Sequence, residues 1–183
     1  MANIGLRKPF FAPFKSTGSG YDAPTALGQA VSVKISVNKA EGELYGDDVM
    51  VESDSEFSSA TIDLGVTTIP IAFHQSMFGH TITEQETSYS VNDTPPEGGF
   101  GIIGVEKVDG KRKYVANFFP RTKFSEPDSE YETKSGSISY KTPSISGKAM
   151  ADTTGVWKKD KICETEEDAI KWINTQFGVT SGS

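Results

Sequence analysis

GFGIIGVEKVDGKRKYVANFF, Gly99 to Phe119, is the stretch that decides the fold class. At its centre stands Asp109-Gly110, a turn pair whose positive φ angles match the twist of two antiparallel strands. A hairpin turn fixes every pair behind it. The expected register sets Val108 opposite Lys111, Glu106 opposite Lys113, Val105 opposite Tyr114, Ile103 opposite Ala116 and Gly101 opposite Phe118. Ile103, Val105, Tyr114, Ala116 and Phe118 then share one face, which is expected to be core. That register offers an opposite-charge pair at Glu106 and Lys113, expected to contribute about 0.2–1 kcal/mol. GFGIIG, Gly99 to Gly104, has the G-x-G-x-x-G spacing of dinucleotide sites, but such a site needs a helix next to hold the pyrophosphate, and here a strand and a hairpin follow. Nucleotide binding is not expected, and Gly101 and Gly104 are read as points where Phe118 or another backbone comes close.

Working outward, Leu27–Val37 alternates Val31, Val33, Ile35 and Val37 with Ser32, Lys34 and Ser36, the period of a half-buried strand. Glu43–Val51 and Phe57–Val66 are expected as two further strands, the second with Ala60, Ile62, Leu64 and Val66 on one face. Two more are expected around Glu132–Thr142 and Ser144–Ala151, with Ile138, Tyr140, Ile145 and Ala149 facing inward. Thr68 is placed as the cap of a short helix with Pro70 in its first turn, Ile71, Met77 and Phe78 as its apolar contacts and Gly79 as its stop. Glu166–Phe177 is an amphipathic helix: Thr165 caps it, Glu166, Glu167 and Asp168 suit its dipole, and Ala169, Ile170, Ile173 and Phe177 form its apolar stripe before Gly178. It is expected to cover an open face or edge of the sheet. Residues 1 to 25 hold Phe10, Phe11 and Phe14 among prolines and glycines, without the periodicity of helix or strand, and read as an arm. These phenylalanines either fold back on their own core or dock on a neighbouring subunit.

The 183 residues suit one domain with its own core, and 18 Gly and 9 Pro favour strands and turns. The class expected is mainly β. One cysteine, Cys163, excludes an intrachain disulfide and is read as a small buried apolar residue. Pro9 and Pro13 interrupt the apolar start, so no signal peptide is expected there, and no run approaches the ~18 apolar residues of a membrane span. His74 and His80, the only histidines, lack Cys or His partners for a metal site. Glu52, Asp54 and Glu56 share a face if extended but lack the calcium-loop pattern. No nucleophile motif appears, and Asn92-Asp93-Thr94 is a sequon in a chain without a secretion signal. The expectation is a protein with no catalytic residues, no cofactor and no metal.

The net charge of −7 conceals a segregation: from Ala40 to Glu106 there are thirteen acids and no Lys or Arg, and the remainder carries all 18 bases and 12 acids, leaving it at +6. Such polarity steers one copy of a chain onto another and repels nucleic acid from the acidic surface. Within the acidic half, LYGDDVMVESDSEFSSATIDLGV, Leu44 to Val66, looks like two strands joined by a segment too acidic and too long for a tight turn.

ANIGLRKPFFAPF, that ribbon, MFGHTI, GFGIIGVEKVDGKRKYVANFFPRTKFSEP and the closing TGVWKKDKICETEEDAIKWIN together resemble, over nearly the whole chain, the major tail proteins of long-tailed phages, the siphophage tail tube family. The resemblance implies a single tail tube domain over residues 1–183. Its fold would be a β-sandwich or barrel with a flanking α-helix at 165–178, a projecting β-ribbon or loop at 45–57 and an N-terminal arm at 1–25. It implies stacked hexameric rings forming the conduit for DNA ejection, located in the virion tail and assembled in the bacterial host cytoplasm. The implied partners are further copies of the chain, the tape measure and tail terminator proteins, and DNA that passes without specific binding; no membrane is involved. In related tube proteins a loop between two early strands reaches neighbouring subunits, and Tyr45–Phe57 matches it here. The inter-subunit contacts expected are therefore Phe10, Phe11 and Phe14 of the arm, with Tyr45, Asp47, Asp48, Val49, Met50, Val51, Glu52, Asp54, Glu56 and Phe57 of the ribbon. An acidic bore suits a DNA conduit, because Lys and Arg would bind phosphates and hold the genome in place. The alternatives are a tube protein of a related contractile or secretion machine, and a monomeric β binding module whose acidic ribbon grips a cation or a basic partner.

Overall fold

The computed structural model describes residues 2–46, 49–108, 110–128 and 142–179, with residues 2–4, 42–46, 49–54 and 108 described as backbone only. In chain order the elements are β1 (Ala2–Pro13), β2 (Thr25–Ala26), β3 (Ala30–Gly46), β4 (Val49–Val66), α1 (Ala72–Ser76), β5 (Thr81–Thr83), β6 (Glu86–Ser88), β7 (Glu97–Val108), β8 (Lys111–Phe124), β9 (Ser144–Met150), β10 (Lys159–Cys163) and α2 (Glu166–Gln176). The fold is mainly β. Eight strands form one antiparallel sheet in the order β2-β1-β7-β8-β9-β4-β3, with β10 attached to β8, while β5 and β6 form a separate small ribbon.

The β7–β8 hairpin has the register expected from its turn, with Val108 opposite Lys111, Glu106 opposite Lys113, Val105 opposite Tyr114, Ile103 opposite Ala116 and Gly101 opposite Phe118; Gly110 has a φ of +79°. On its far side β8 divides its ladder: residues 114–118 pair with β10 and residues 121–124 pair with β9. The sheet is therefore forked. Ala60 of β4, Ala149 of β9 and Thr122 of β8 stand in one row, and all three are fully buried. From that row β4 runs back eleven residues to Val49 and β8 runs back eleven residues to Lys111. Both strands are antiparallel to β9, so the two prongs leave the same end of the sheet, each over ~36 Å at strand rise.

Because α2 packs on the outer face of this sheet, β7 and β8 are buried on both sides. The face expected as core holds Ile103, Ala116 and Phe118 against Ala169, Ile173 and Phe177 of α2, with Cys163 beside them. The opposite face carries Phe100, Ile102 and Phe119 into a larger core with Phe11, Ile62, Leu64, Phe73, Met77 and Phe124. Thr165 caps α2 by accepting from the Asp168 backbone N–H at 3.1 Å, and Gly178, with a φ of +79°, follows its last turn. Gly101 lies under this helix: a Cβ there would meet Ile173 Cγ2 at 2.7 Å, so the helix, and not Phe118 or a backbone, requires a glycine. At Gly104 the nearest atom would be at 3.8 Å, so no close approach occurs.

Several expectations are corrected. The arm is a strand: β1 pairs with β7 from Ala2↔Lys107 to Pro13↔Gly98, with Pro9 in a bulge where Lys8 takes a φ of 46°. A proline fits there because a bulge leaves its missing N–H without consequence. Of the two fates weighed for the arm phenylalanines, Phe11 takes the inward one and is 1% exposed, 5.7 Å edge-on from Phe124, while Phe10 packs beside α2. Only Phe14 is exposed, stacked on Tyr21 at 5.2 Å. The short helix starts at Ala72 with Ile71 in the cap position and no side-chain cap, so Thr68 lies outside it; Phe73, Met77 and Phe78 fill the core, and Ile71 is exposed. In β3, Val33 and Ile35 pack on the core, but Val31, opposite a register shift, and Val37 are 52% and 47% exposed. The strand at Ser144–Ala151 is β9, with Ile145 and Ala149 buried. The one expected at Glu132–Thr142, with Ile138 and Tyr140, lies outside the described residues except at Thr142.

Candidate functional site

The segment between Leu44 and Val66 is not two strands with a loop between them. β3 and β4 pair continuously from Ala30↔Val66 to Gly46↔Val49, so the acidic residues Glu52, Asp54 and Glu56 lie in a strand, not in a loop. Among the described strands β9 pairs with β4 only from Ala60 to Gly65, and from Lys39↔Phe57 to Gly46↔Val49 the described ladder is that of β3 with β4. That self-paired ribbon is ~25 Å long. Its described flanks, Lys39, Ala40 and Glu41 on β3 and Ser55 and Glu56 on β4, are exposed.

Its root is firmly built. The register steps from Asn38↔Ser59 to Lys39↔Phe57, leaving Ser58 as the extra residue of a bulge, a device that turns a ribbon relative to the sheet it leaves. Asn38 Nδ2 donates to Ser59 Oγ at 3.3 Å and to Thr61 Oγ1 at 3.0 Å, tying the strands just inside the bulge. Just outside it, Phe57 stacks on Trp157 with centroids 4.8 Å apart and planes at 17°. Trp157 is presented by a turn closed by Asp152, whose Oδ1 accepts from the Thr154 hydroxyl at 2.7 Å, the Thr154 N–H at 2.8 Å and the Val156 N–H at 3.0 Å. The Thr154 hydroxyl, then the Val156 amide, hold the Asp152 carboxyl below the usual carboxylate range.

Unsatisfied sheet edges complete the surface. Among the described residues β3 has no partner strand on its outer edge, and β10 pairs on one side only, with Ile162 57% exposed. Such edges are templates for another chain unless they are covered.

Of the expected contact residues, Phe57 anchors the ribbon within its own chain, Phe11 is spent in the core, and Phe10 is half-buried beside α2. Phe14 and Glu56 are exposed. Tyr45, Val49, Met50, Val51, Glu52 and Asp54 are placed by backbone register in the ribbon, while Asp47 and Asp48 lie outside the described residues. Trp157 and Asp152, which fix the ribbon's root, carry no signal in the sequence, because their role depends on a contact a hundred residues away.

The two histidines form a buried polar cluster away from the ribbon. His80 Nδ1 lies 2.7 Å from Asp93 Oδ2, and its Nε2 lies 3.0 Å from a Glu126 oxygen without hydrogen-bond alignment. The bond to His80 holds the Asp93 carboxyl below its ordinary range, and burial, then the His80 charge, pushes His74 down. Among the described residues no group of three His, Cys, Asp or Glu side chains is arranged to hold a metal ion, and no helix is long and apolar enough to cross a membrane. No protein-family model matches the chain, and no curated protein matches it.

Proposed function

We propose that the chain is the tube subunit of a long-tailed phage tail, a structural virion protein that polymerises as stacked hexameric rings around a passage for DNA. The observation that carries this reading is the long two-stranded ribbon beyond Phe57, which extends past the end of β9's pairing with β4, is exposed along both described flanks and is held at its root by a bulge and an aromatic stack. The described flanks of the ribbon contribute no buried residue to the core of their own chain. In a polymer each ribbon reaches a neighbour, and repeated contact through a rotation that closes makes a ring. The free edges of β3 and β10 offer further pairing, and the acidic excess from Ala40 to Glu106 keeps phosphates from adhering to a bore that it lines. The reading requires no catalysis and no cofactor. Negative-stain microscopy of the purified chain across a concentration series tests it. Rings or tubes are expected; monomers persisting at the highest concentration overturn it.

A further inference from the structure

Among the described residues the second prong of the fork ends in cations without ion-pair partners. In the β7–β8 ladder Lys107 stands directly opposite Arg112, and like charges so placed repel. Lys107, Lys111 and Arg112 are exposed, and among the described residues no carboxylate lies within ion-pair distance of any of them. Lys113, next along β8, is by contrast paired with Glu164. β1 reaches the same end through Ala2↔Lys107 and brings no acid with it. Two cations face to face with no ion-pair partner among the described residues suit an anionic partner from outside the chain.

The chain itself supplies one. The first prong carries seven acids between Lys39 and Phe57 and no base among them. Its described acids, Glu41 and Glu56, occupy consecutive ladder positions, so they point to opposite faces of the ribbon; both are exposed and neither is ion-paired among the described residues. The two prongs leave the same end of the sheet over equal lengths and do not pair with each other. Copies related by rotation about an axis that runs along the prongs would bring the acidic prong of one to the level of the basic prong of the next.

We propose that the hairpin end carrying Lys107 and Arg112 on one face, with Lys111 on the other, is the docking site for the acidic β3–β4 ribbon of a second copy of this chain, which presents Glu41 on one of its faces and Glu56 on the other. The contact is heterologous, so each copy gives one ribbon and receives another, the arrangement from which rings are built. It rests on the assembly reading above and adds to it the receiving surface. Desolvated partly at an interface, these charges select the partner and its register more than they supply raw affinity.

Sedimentation of wild type, of Lys107→Glu/Lys111→Glu/Arg112→Glu and of that variant with Glu41→Lys and Glu56→Lys added tests the contact, at about 50 mM and about 500 mM salt. The triple reversal is expected to raise the concentration needed for polymer by about tenfold or more, and the variant with Glu41→Lys and Glu56→Lys added to recover part of that loss, since five acids remain on the ribbon. High salt should weaken wild type in the same sense. All five positions are exposed, so folding is expected to survive, and circular dichroism confirms it. Carbodiimide cross-linking of mixed isotope-labelled and unlabelled wild type gives a second readout, with heavy-to-light cross-links between Lys107 or Lys111 and Glu41 or Glu56 expected. A triple variant that polymerises like wild type overturns the docking site while leaving the tube reading intact. So do cross-links confined to single molecules, or a wild-type shift of duplex DNA that the triple variant loses without change in assembly. Wild type that never polymerises removes the tube reading instead, and heavy-to-light cross-links then decide the contact alone.

Discussion

Phe57 and Trp157 lie face to face, 4.8 Å apart at 17°, where the self-paired ribbon leaves the sheet, and Trp157 in turn sits 6.3 Å from Phe119 of the core. The ribbon is thus connected to the body through one aromatic step. Trp157→Ala is expected to leave the sheet intact and to loosen the ribbon from its root outward. Hydrogen exchange should quicken in residues 39–46 and 49–57 without change in β7 or β8. A double-mutant cycle with Phe57→Ala should return a coupling of ~0.5–1.5 kcal/mol, the range for such pairs. Equal exchange in both proteins would show that Trp157 does not hold the ribbon.

Gly101 and Gly104 share a strand and a motif but differ in what stands over them. A Cβ at Gly101 would meet Ile173 Cγ2 at 2.7 Å, whereas at Gly104 its nearest neighbour is at 3.8 Å. Gly101→Ala is therefore expected to push α2 off the sheet at a cost of ~1–3 kcal/mol, as overpacking does. Gly104→Ala should lie within ~0.5 kcal/mol of wild type. Urea denaturation of the two variants checks the contrast, and a smaller residue at position 173 should partly relieve the first.

These cases also show what the sequence could reveal. The β7–β8 register was legible because one dipeptide sets it, and α2 was legible because Thr165, Glu166, Glu167 and Asp168 mark its start and Gly178 its end. β1 was not, because both of its faces are covered: Phe10 and Ala12 turn toward α2 while Phe11 turns inward, which erases the alternation that marks a half-buried strand. The ribbon was hidden for another reason, since its strands mix Glu, Asp, Ser and Gly with Leu44, Tyr45, Val49, Met50 and Val51 and keep no sustained alternation. The forked ladder of β8 and the basic prong it creates depend on pairing between distant segments, which no local pattern encodes.

Acid should release the Trp157 turn before it unfolds the sheet. The Asp152 carboxyl is held below its ordinary range by the Thr154 hydroxyl and the Val156 amide, so its contribution is present above the unfolded value of about 3.9 and is lost as pH falls through the lower folded value. Asp93, held down by His80, behaves in the same sense in its own loop. Trp157 fluorescence, read in a Trp172→Phe background, should change below about pH 4. Asp152→Asn keeps an acceptor oxygen but no titration, so its fluorescence should be insensitive to acid in that window. An unchanged acid transition in Asp152→Asn would remove the assignment.

Truncation separates the two segments that a reading of the sequence alone treats alike. β1 places Phe11 at 1% exposure in the core and covers one edge of β7 along twelve residues, so deleting Ala2–Pro13 is expected to prevent folding. Replacing residues 41–55 with Asn-Gly, a turn suited to closing the Ala40↔Glu56 pair, removes the outer ribbon and none of the buried core residues. That variant should keep the wild-type circular dichroism, with a melting temperature within about 2–4 °C, the shift that about 1 kcal/mol produces in a chain of this size. Under conditions where the parent forms rings, it should sediment as a monomer. A ribbonless chain that still builds cylinders would mean that the edges of β3 and β10 suffice for assembly, and that the ribbon's length has some other cause.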